Sequence, residues 1–127
     1  MTRVISIHNY RLRPGVSDRS FLQAVDEALS ANLFDLPGLE SYHFLKGIKG
    51  VSQGEWTAIW VYASRSSWED LWGTTSDPTP KEQYPARWQR WENNLLAPLL
   101  TGDPEKIQFT SYEEVLSSDK RSEARND

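Results

Sequence analysis

Residues 55–63 (EWTAIWVYA) constrain the fold of this 127-residue chain more than any other segment. They are rich in β-branched and aromatic types, a composition typical of a strand. In an extended chain one face carries Trp56, Ala58, Trp60 and Tyr62, and the other carries Thr57, Ile59, Val61 and Ala63. Because both faces are largely apolar, the sequence predicts a central strand that is covered on both sides.

Three further strands and two helical regions are predicted around this segment. Strands are expected at residues 4–13, 39–46 and 107–116. Apolar residues at helical spacing predict one helix over 17–34 and a second, split helical region over 66–99. The resulting order, β-α-β-β-α-β, is that of a ferredoxin-like α+β domain. Right-handed crossovers then predict an antiparallel four-stranded sheet in the order 4-1-3-2, with the helices on one face.

The second helical region is predicted in two parts. Ser66 or Ser67 is expected to cap a short helix, and Thr79 followed by Glu82 has the capping-box pattern that opens a longer one. Pro98 is expected to end the longer helix. The apolar stripe of this helix is Tyr84, Trp88, Trp91 and Leu95.

Residues 1–116 are predicted to form a single domain, and the polar residues 117–127 a disordered tail. Helices cover only one face of such a sheet, although the third strand is apolar on both. A second copy packed sheet against sheet is the simplest cover, and two-fold dimers are the commonest oligomers. The sequence therefore predicts a homodimer.

Composition excludes several classes of function. The chain has no cysteine, which excludes disulfides, zinc–thiolate sites, iron–sulfur clusters and a cysteine nucleophile. Its net charge of −4 has the wrong sign for a protein that binds nucleic acid through phosphate contacts. No apolar run is long enough to cross a membrane and none resembles a signal peptide, so a cytoplasmic location is expected. The motifs of nucleotide-binding proteins, triad hydrolases and zinc proteases are missing.

Several segments resemble the dimeric α/β-barrel superfamily, which includes antibiotic-biosynthesis monooxygenases, NIPSNAP-like proteins and stress-responsive A/B-barrel proteins. The similar segments are residues 4–15 (VISIHNYRLRPG), 36–38 (LPG), 60–64 (WVYAS) and 67–72 (SWEDLW). The resemblance covers residues 3–116 and implies a dimeric α/β barrel with a pocket between the helices and the sheet of each monomer. Because the superfamily carries out many chemistries, the resemblance specifies a fold rather than an activity.

The resemblance also implies that polar residues of the first strand point into this pocket. The catalytic histidine of the cyclase-type members has its counterpart near Ser6, and the strand asparagine of the heme-degrading members aligns with His8. Those heme-degrading members use a histidine that follows a tryptophan near Trp72, whereas this chain has no histidine after His43. Heme binding through His8 or His43 stays an open alternative.

His8 is the main catalytic candidate, and Ser6 and Tyr10 share its face of the strand. A neutral imidazole exchanges protons near pH 7, and Tyr10 would orient the ring or donate to a developing oxyanion. The alternative is a core histidine that is hydrogen-bonded to the backbone or to the partner subunit.

His43, on the second strand, is included among the substrate-binding candidates together with Ser6. In the predicted strand order it lies about 10 Å from His8, at two strand spacings. That separation is too large for a shared metal ion. We therefore predict no metal site, and no cofactor.

Aromatic residues are the remaining candidates, because six Trp, five Tyr and four Phe are many for this length. The residues expected to wall a pocket for a small aromatic, hydrophobic or polyketide-like ligand are Trp60, Tyr62, Trp72, Tyr84 and Trp88. Packing of a helix on a sheet explains the same spacing without a ligand. Two functions remain open. One is a cofactor-independent monooxygenase, isomerase or cyclase, and the other is a non-catalytic small-ligand-binding or stress-associated protein.

Overall fold

A computed structural model describes residues 2–102 and 107–118 of the chain. Its four strands are β1 (Val4–Tyr10), β2 (Leu39–Lys46), β3 (Trp56–Tyr62) and β4 (Gln108–Glu113). They form one antiparallel sheet in the order β2-β3-β1-β4, which does not close on itself. The helices are α1 (Asp18–Ser30), α2 (Arg65–Trp72) and α3 (residues 86–99). The predicted ferredoxin-like α+β fold and its strand order are confirmed.

The structure bears on the predicted tail and on the predicted lack of a membrane span only within the described residues. Most of the predicted tail, residues 119–127, lies outside the described residues. Within the described part of the chain, no helix is both long enough and apolar enough to cross a membrane.

The sheet has one face covered by α1 and α3. Phe21 of α1 stacks on Trp56 of β3, with ring centroids 4.7 Å apart. Trp88 of α3 meets Trp60 of β3 edge-on at 4.9 Å. Because side chains alternate along a strand, Ser6 of β1 faces the same helices. The core therefore lies between this face of the sheet and the two helices.

Helix α1 begins at its N-cap, Ser17, whose hydroxyl accepts a hydrogen bond from the backbone N–H of Ser20. It ends at Ser30, four residues earlier than the predicted limit at residue 34. The reason is a left-handed turn at Asn32 (φ 57°), after which Phe34 returns to the core.

Helix α2 begins earlier than its sequence predicts. Ser64 is the N-cap, and its hydroxyl accepts a hydrogen bond from the backbone N–H of Ser67 at 3.1 Å. The predicted caps, Ser66 and Ser67, are therefore wrong: both lie inside the first turn.

Helix α3 does not start from the capping box that was predicted at Thr79. Lys81–Gln83 forms only a 3₁₀ turn, and no side chain caps it. Pro85 lacks an N–H and holds the preceding Tyr84 in an extended conformation (ψ 156°). The helix accordingly begins after Pro85, at Ala86.

The hydrogen bonding of α3 changes along its length. It is α-helical at Ala86–Gln89, π-helical at Arg90–Leu96 and 3₁₀ at Ala97–Leu99, where Pro98 ends it as predicted. The N–H of Ala97 donates to the carbonyl of Glu92, which is a π-helical bond. The wider turn buries Trp91 and Leu96 completely, whereas the predicted stripe residue Leu95 is only half-buried.

Candidate active site between β1 and α3

A cavity of about 360 Å³ lies between β1, β4, α2 and α3, on the covered face of the sheet. Small-molecule sites are typically of this size, with mainly apolar walls and few polar groups. The structure brings together six of the residues predicted from the sequence, which all line the cavity: Ser6, His8, Tyr62, Trp72, Tyr84 and Trp88.

Three other predicted residues do not line the cavity. Trp60 and Tyr10 are buried behind its wall, with ring centroids 6.1 and 6.3 Å from that of His8. His43 lies on the open face of the sheet, opposite Ile59 of β3. Because side chains alternate along β2, its neighbour Phe44 faces the core instead. The structure does not bring His43 to His8.

His8 is surrounded by aromatic rings from its own strand and from three other elements. Its ring meets those of Trp88 at 5.9 Å and Phe109 at 5.4 Å, besides Tyr10 and Trp60. Its Nδ1 is buried and has no hydrogen-bond partner among residues 2–102 and 107–118. Burial lowers the pKa of His8 to about 4, so the ring is neutral at pH 7 and a weaker base than the sequence led us to expect. A neutral imidazole keeps one donor and one acceptor.

Two serine hydroxyls lie beside His8 on the same face of the sheet. Ser6 of β1 pairs with Ser111 of β4, and their Oγ atoms are 2.6 Å apart. Only one of the two hydroxyl hydrogens is used in this hydrogen bond. The pair therefore offers a further donor to a molecule in the cavity.

Glu92 is the polar group of the cavity that the sequence reasoning missed. It lies on α3, one turn after Trp88, and lines the cavity. Burial raises the pKa of Glu92 to about 7, while the charge of Lys81 and the indole N–H of Trp88 act in the opposite direction. The available signal was a carboxylate directly after Trp91, within a helical stripe of aromatic residues. Acidic side chains are seldom placed on such a stripe unless they are paired.

Tyr10 belongs to a buried polar cluster behind the wall. Its hydroxyl and the indole nitrogens of Trp60 and Trp91 make no hydrogen bond of normal geometry with the described residues. Burial raises the pKa of Tyr10 well above its usual value, and the charge of Glu92 adds to this, while the nearby indoles of Trp91 and Trp60 oppose it. Tyr10 thus lies behind the wall of the cavity and does not line it.

Gly73 shapes the rim of the cavity, where α2 ends. Its φ of 84° is unfavourable for residues with a side chain, and a Cβ there would lie 2.5 Å from the backbone nitrogen of Thr79. The backbones of Thr74 and Asp77 exchange two hydrogen bonds of 3.2 Å in the loop that follows. This tight loop places Thr74 at the mouth of the cavity. In the described part of the chain, no three His, Asp or Glu side chains are placed to hold a metal ion.

Comparisons with known proteins give matches in structure but not in sequence. No protein-family model and no curated protein sequence matches the chain. A solved structure from Bordetella bronchiseptica, whose name assigns it to the antibiotic biosynthesis monooxygenases, superposes with a TM-score of 0.63 at 15% identity. The match covers 91% of this chain and all (100%) of that one.

Two further solved structures are similar to the same extent. SnoaB from Streptomyces nogalater, a cofactor-independent oxygenase, gives a TM-score of 0.60 at 10% identity over 94% of this chain and 100% of its own. A dimeric ferredoxin-like protein of unknown function from Jannaschia sp. CCS1 gives 0.60 at 10% identity over 88% and 99%. At these identities the likeness concerns the fold. The chain thus has the ferredoxin-like fold that these solved structures share, which is the fold that the resemblance in sequence implies.

Proposed function

We propose that the cavity beside His8 binds a small aromatic or polyketide-like molecule, and that the protein converts this molecule without a cofactor, as a monooxygenase, isomerase or cyclase. One observation carries the proposal. The cavity has aromatic walls, and two half-buried titratable groups, His8 and Glu92, face it without a salt bridge among the described residues. Titratable groups whose pKa values are shifted by their surroundings, as those of His8 and Glu92 are, are concentrated at functional sites.

The walls favour a flat ligand. The ring centroid of Trp72 lies 5.0 Å from that of Tyr84 and 5.4 Å from that of Trp88, both edge-on. These contacts restrict the movement of the three rings that line the cavity. Rigid aromatic surfaces of this kind bind flat apolar molecules with little loss of side-chain entropy. The similarity to SnoaB, a cofactor-independent oxygenase, supports the class of chemistry without specifying the reaction.

The polar groups on β1 would orient the ligand. The neutral ring of His8 and the spare donor of the Ser6–Ser111 pair lie on one wall of the cavity. A phenol, enol or carbonyl oxygen on the ligand would exchange hydrogen bonds with this wall. In an apolar surrounding such bonds are stronger than in water, which favours one orientation of the ligand.

We also infer that two copies associate through the open face of the sheet. Ile5, Ile7 and Ile59 lie on this face, and Tyr112 there is 52% exposed. Apolar patches of this kind mark association surfaces. The Jannaschia protein with this fold is dimeric, which supports the inference.

Native mass spectrometry of protein purified gently from its own host tests both proposals together. We expect a mass of two chains, with an added small molecule in each cavity. A mass of two chains without an adduct would support the dimer but not a tightly held ligand. A monomer at micromolar concentration would contradict the proposed association.

Replacing His8 by phenylalanine is expected to weaken the binding of α-naphthol about threefold to tenfold, because one hydrogen bond is worth roughly 0.5–1.5 kcal/mol. Phenylalanine keeps an aromatic ring in contact with Trp88, so the fold should survive. Isothermal titration calorimetry gives the affinity, and His43→Phe on the open face is the matched control. If His8→Phe lost folding stability but bound α-naphthol unchanged, His8 would be a core histidine without a role in binding.

A further inference from the structure

We propose that Glu92 is the residue that takes a proton from the bound molecule and returns it during the reaction. This inference rests on the proposed function, because it requires a ligand in the cavity. It assigns the proton transfer to a helix residue instead of to His8, which was the candidate from the sequence.

The first argument is position. Glu92 projects from α3 into the cavity, whereas His8 and Ser6 line it from β1. A flat molecule in the cavity therefore lies between the polar groups of the sheet and a carboxylate of the helix. The π-helical turn that contains Glu92 supports a special role, since such turns are frequent at functional sites.

The second argument is that Glu92 has no salt-bridge partner among the described residues that would explain its partial burial. None of the salt bridges among the described residues involves it. Its polar neighbours are the indole N–H of Trp88 and the charge of Lys81, which lies at the rim of the cavity. A carboxylate that stabilised the fold would be expected to be paired.

The third argument comes from the titratable groups that face Glu92. Two of them precede α3: Lys81 in the 3₁₀ turn and Tyr84 immediately before Pro85. The others are on the sheet: Tyr62 on β3, and Tyr10 and His8 on β1. Burial raises the pKa of all three tyrosines, and the charge of Glu92 raises each further, so they stay protonated at neutral pH. His8 stays neutral, with a pKa of about 4. Glu92, with a pKa of about 7, is thus suited to exchange protons under these conditions.

An aryl β-diketone in its enol form is a suitable substrate for this proton transfer. The Glu92 carboxylate takes the enol O–H proton, and the electron pair of that bond stays on oxygen, which gives an enolate. His8 or the serine pair holds the enolate oxygen by a hydrogen bond. The protonated Glu92 then delivers the same proton to the carbon between the carbonyls, and the keto form results. No atom is gained or lost, and no oxidant is needed.

The test uses benzoylacetone, an aryl β-diketone whose enol absorbs strongly in the ultraviolet. Enol-rich benzoylacetone is diluted from organic solvent into buffered protein, and the decay of enol absorbance is followed from pH 5 to pH 9. We expect the wild-type protein to accelerate the decay, with the acceleration increasing as pH rises through about 7 and Glu92 ionises. Glu92→Gln should lose about 10²-fold or more of the acceleration. Calorimetry measures the affinity of benzoylacetone for each protein separately.

Glu82→Gln is the matched control, because Glu82 is exposed and lies outside the cavity. Loss of rate in Glu92→Gln with affinity retained, and no loss in Glu82→Gln, would support the assignment. Unchanged acceleration in Glu92→Gln would overturn it and leave the proposed function standing. Binding without acceleration by the wild-type protein would also overturn it, and would favour a non-catalytic ligand-binding protein. If the wild-type protein did not bind benzoylacetone, the proposed ligand class and the role of Glu92 would both be wrong.

Discussion

Replacing Trp60 by alanine is expected to lower the free energy of unfolding by about 3–5 kcal/mol, the usual cost of removing a large aromatic side chain from a core. Trp60 is completely buried at the centre of the sheet. Its ring meets those of Trp88 at 4.9 Å, Phe34 at 5.1 Å and Phe44 at 5.6 Å. It therefore joins β3 to α3, to β2 and to the segment after α1. The space left by alanine cannot close without moving several of these elements.

Urea denaturation at constant pH measures this effect, with the dependence on urea concentration used to verify two-state unfolding. Trp68→Ala is the control, because Trp68 lies at the half-buried rim of the cavity and should cost much less. Trp60→Phe should cost less than alanine, since the indole N–H that it removes is buried without a partner. A loss below about 1 kcal/mol for Trp60→Ala would contradict the central place of this ring in the core.

The sheet was predictable because each strand has a local signature. Side chains that alternate along β1 and β3 assign Ser6, His8 and Trp60 to one face without any knowledge of the helices. The order of the elements then restricts the possible topologies to very few. The observed register, in which His8 lies opposite Ala58 and Ser6 opposite Trp60, agrees with this assignment of faces.

The helical regions were less predictable, because their ends depend on tertiary packing. A capping-box pattern at Thr79 has no effect when Pro85 interrupts the helix that it would open. The π-helical turn shifts the buried position from Leu95 to Leu96. A local change from α-helical to π-helical hydrogen bonding cannot be detected from hydrophobic periodicity, because that method assumes one helical repeat throughout.

The residues that β1 contributes to the site were predictable, whereas Glu92, which α3 contributes, was not. Residues of β1 face the cavity because the strand period requires it, but Glu92 faces it because of how α3 packs. A carboxylate on a helix is expected at the surface unless the structure shows otherwise. The basicity of His8 also depends on rings that are distant in sequence, Trp88 and Phe109. No local pattern reports the burial that they cause.

The two half-buried titratable groups, Glu92 and His8, make opposite contributions to the dependence of stability on pH. Burial raises the pKa of Glu92 from 4.5 to about 7, so its contribution is fully present below pH 4.5 and is lost as pH rises through 7. Burial lowers the pKa of His8 from 6.5 to about 4, so its contribution is present above pH 6.5 and is lost as pH falls through 4. Between pH 4.5 and 6.5 the two slopes, each about 1.4 kcal/mol per pH unit, nearly cancel in the wild-type protein.

Glu92→Gln should abolish this cancellation. The free energy of unfolding of this variant is expected to rise by about 2 kcal/mol between pH 4.5 and 6.5, because only the His8 contribution remains. At pH 8 the variant should be more stable than the wild-type protein by about 2–3 kcal/mol, since it no longer buries a charge. His8→Phe should show the reverse, a fall in stability over the same interval. Urea denaturation at a series of pH values measures all three proteins, with Glu82→Gln as the control. Parallel profiles for Glu92→Gln and the wild-type protein would mean that the Glu92 carboxyl is solvated, and a solvated carboxyl would not exchange protons near pH 7.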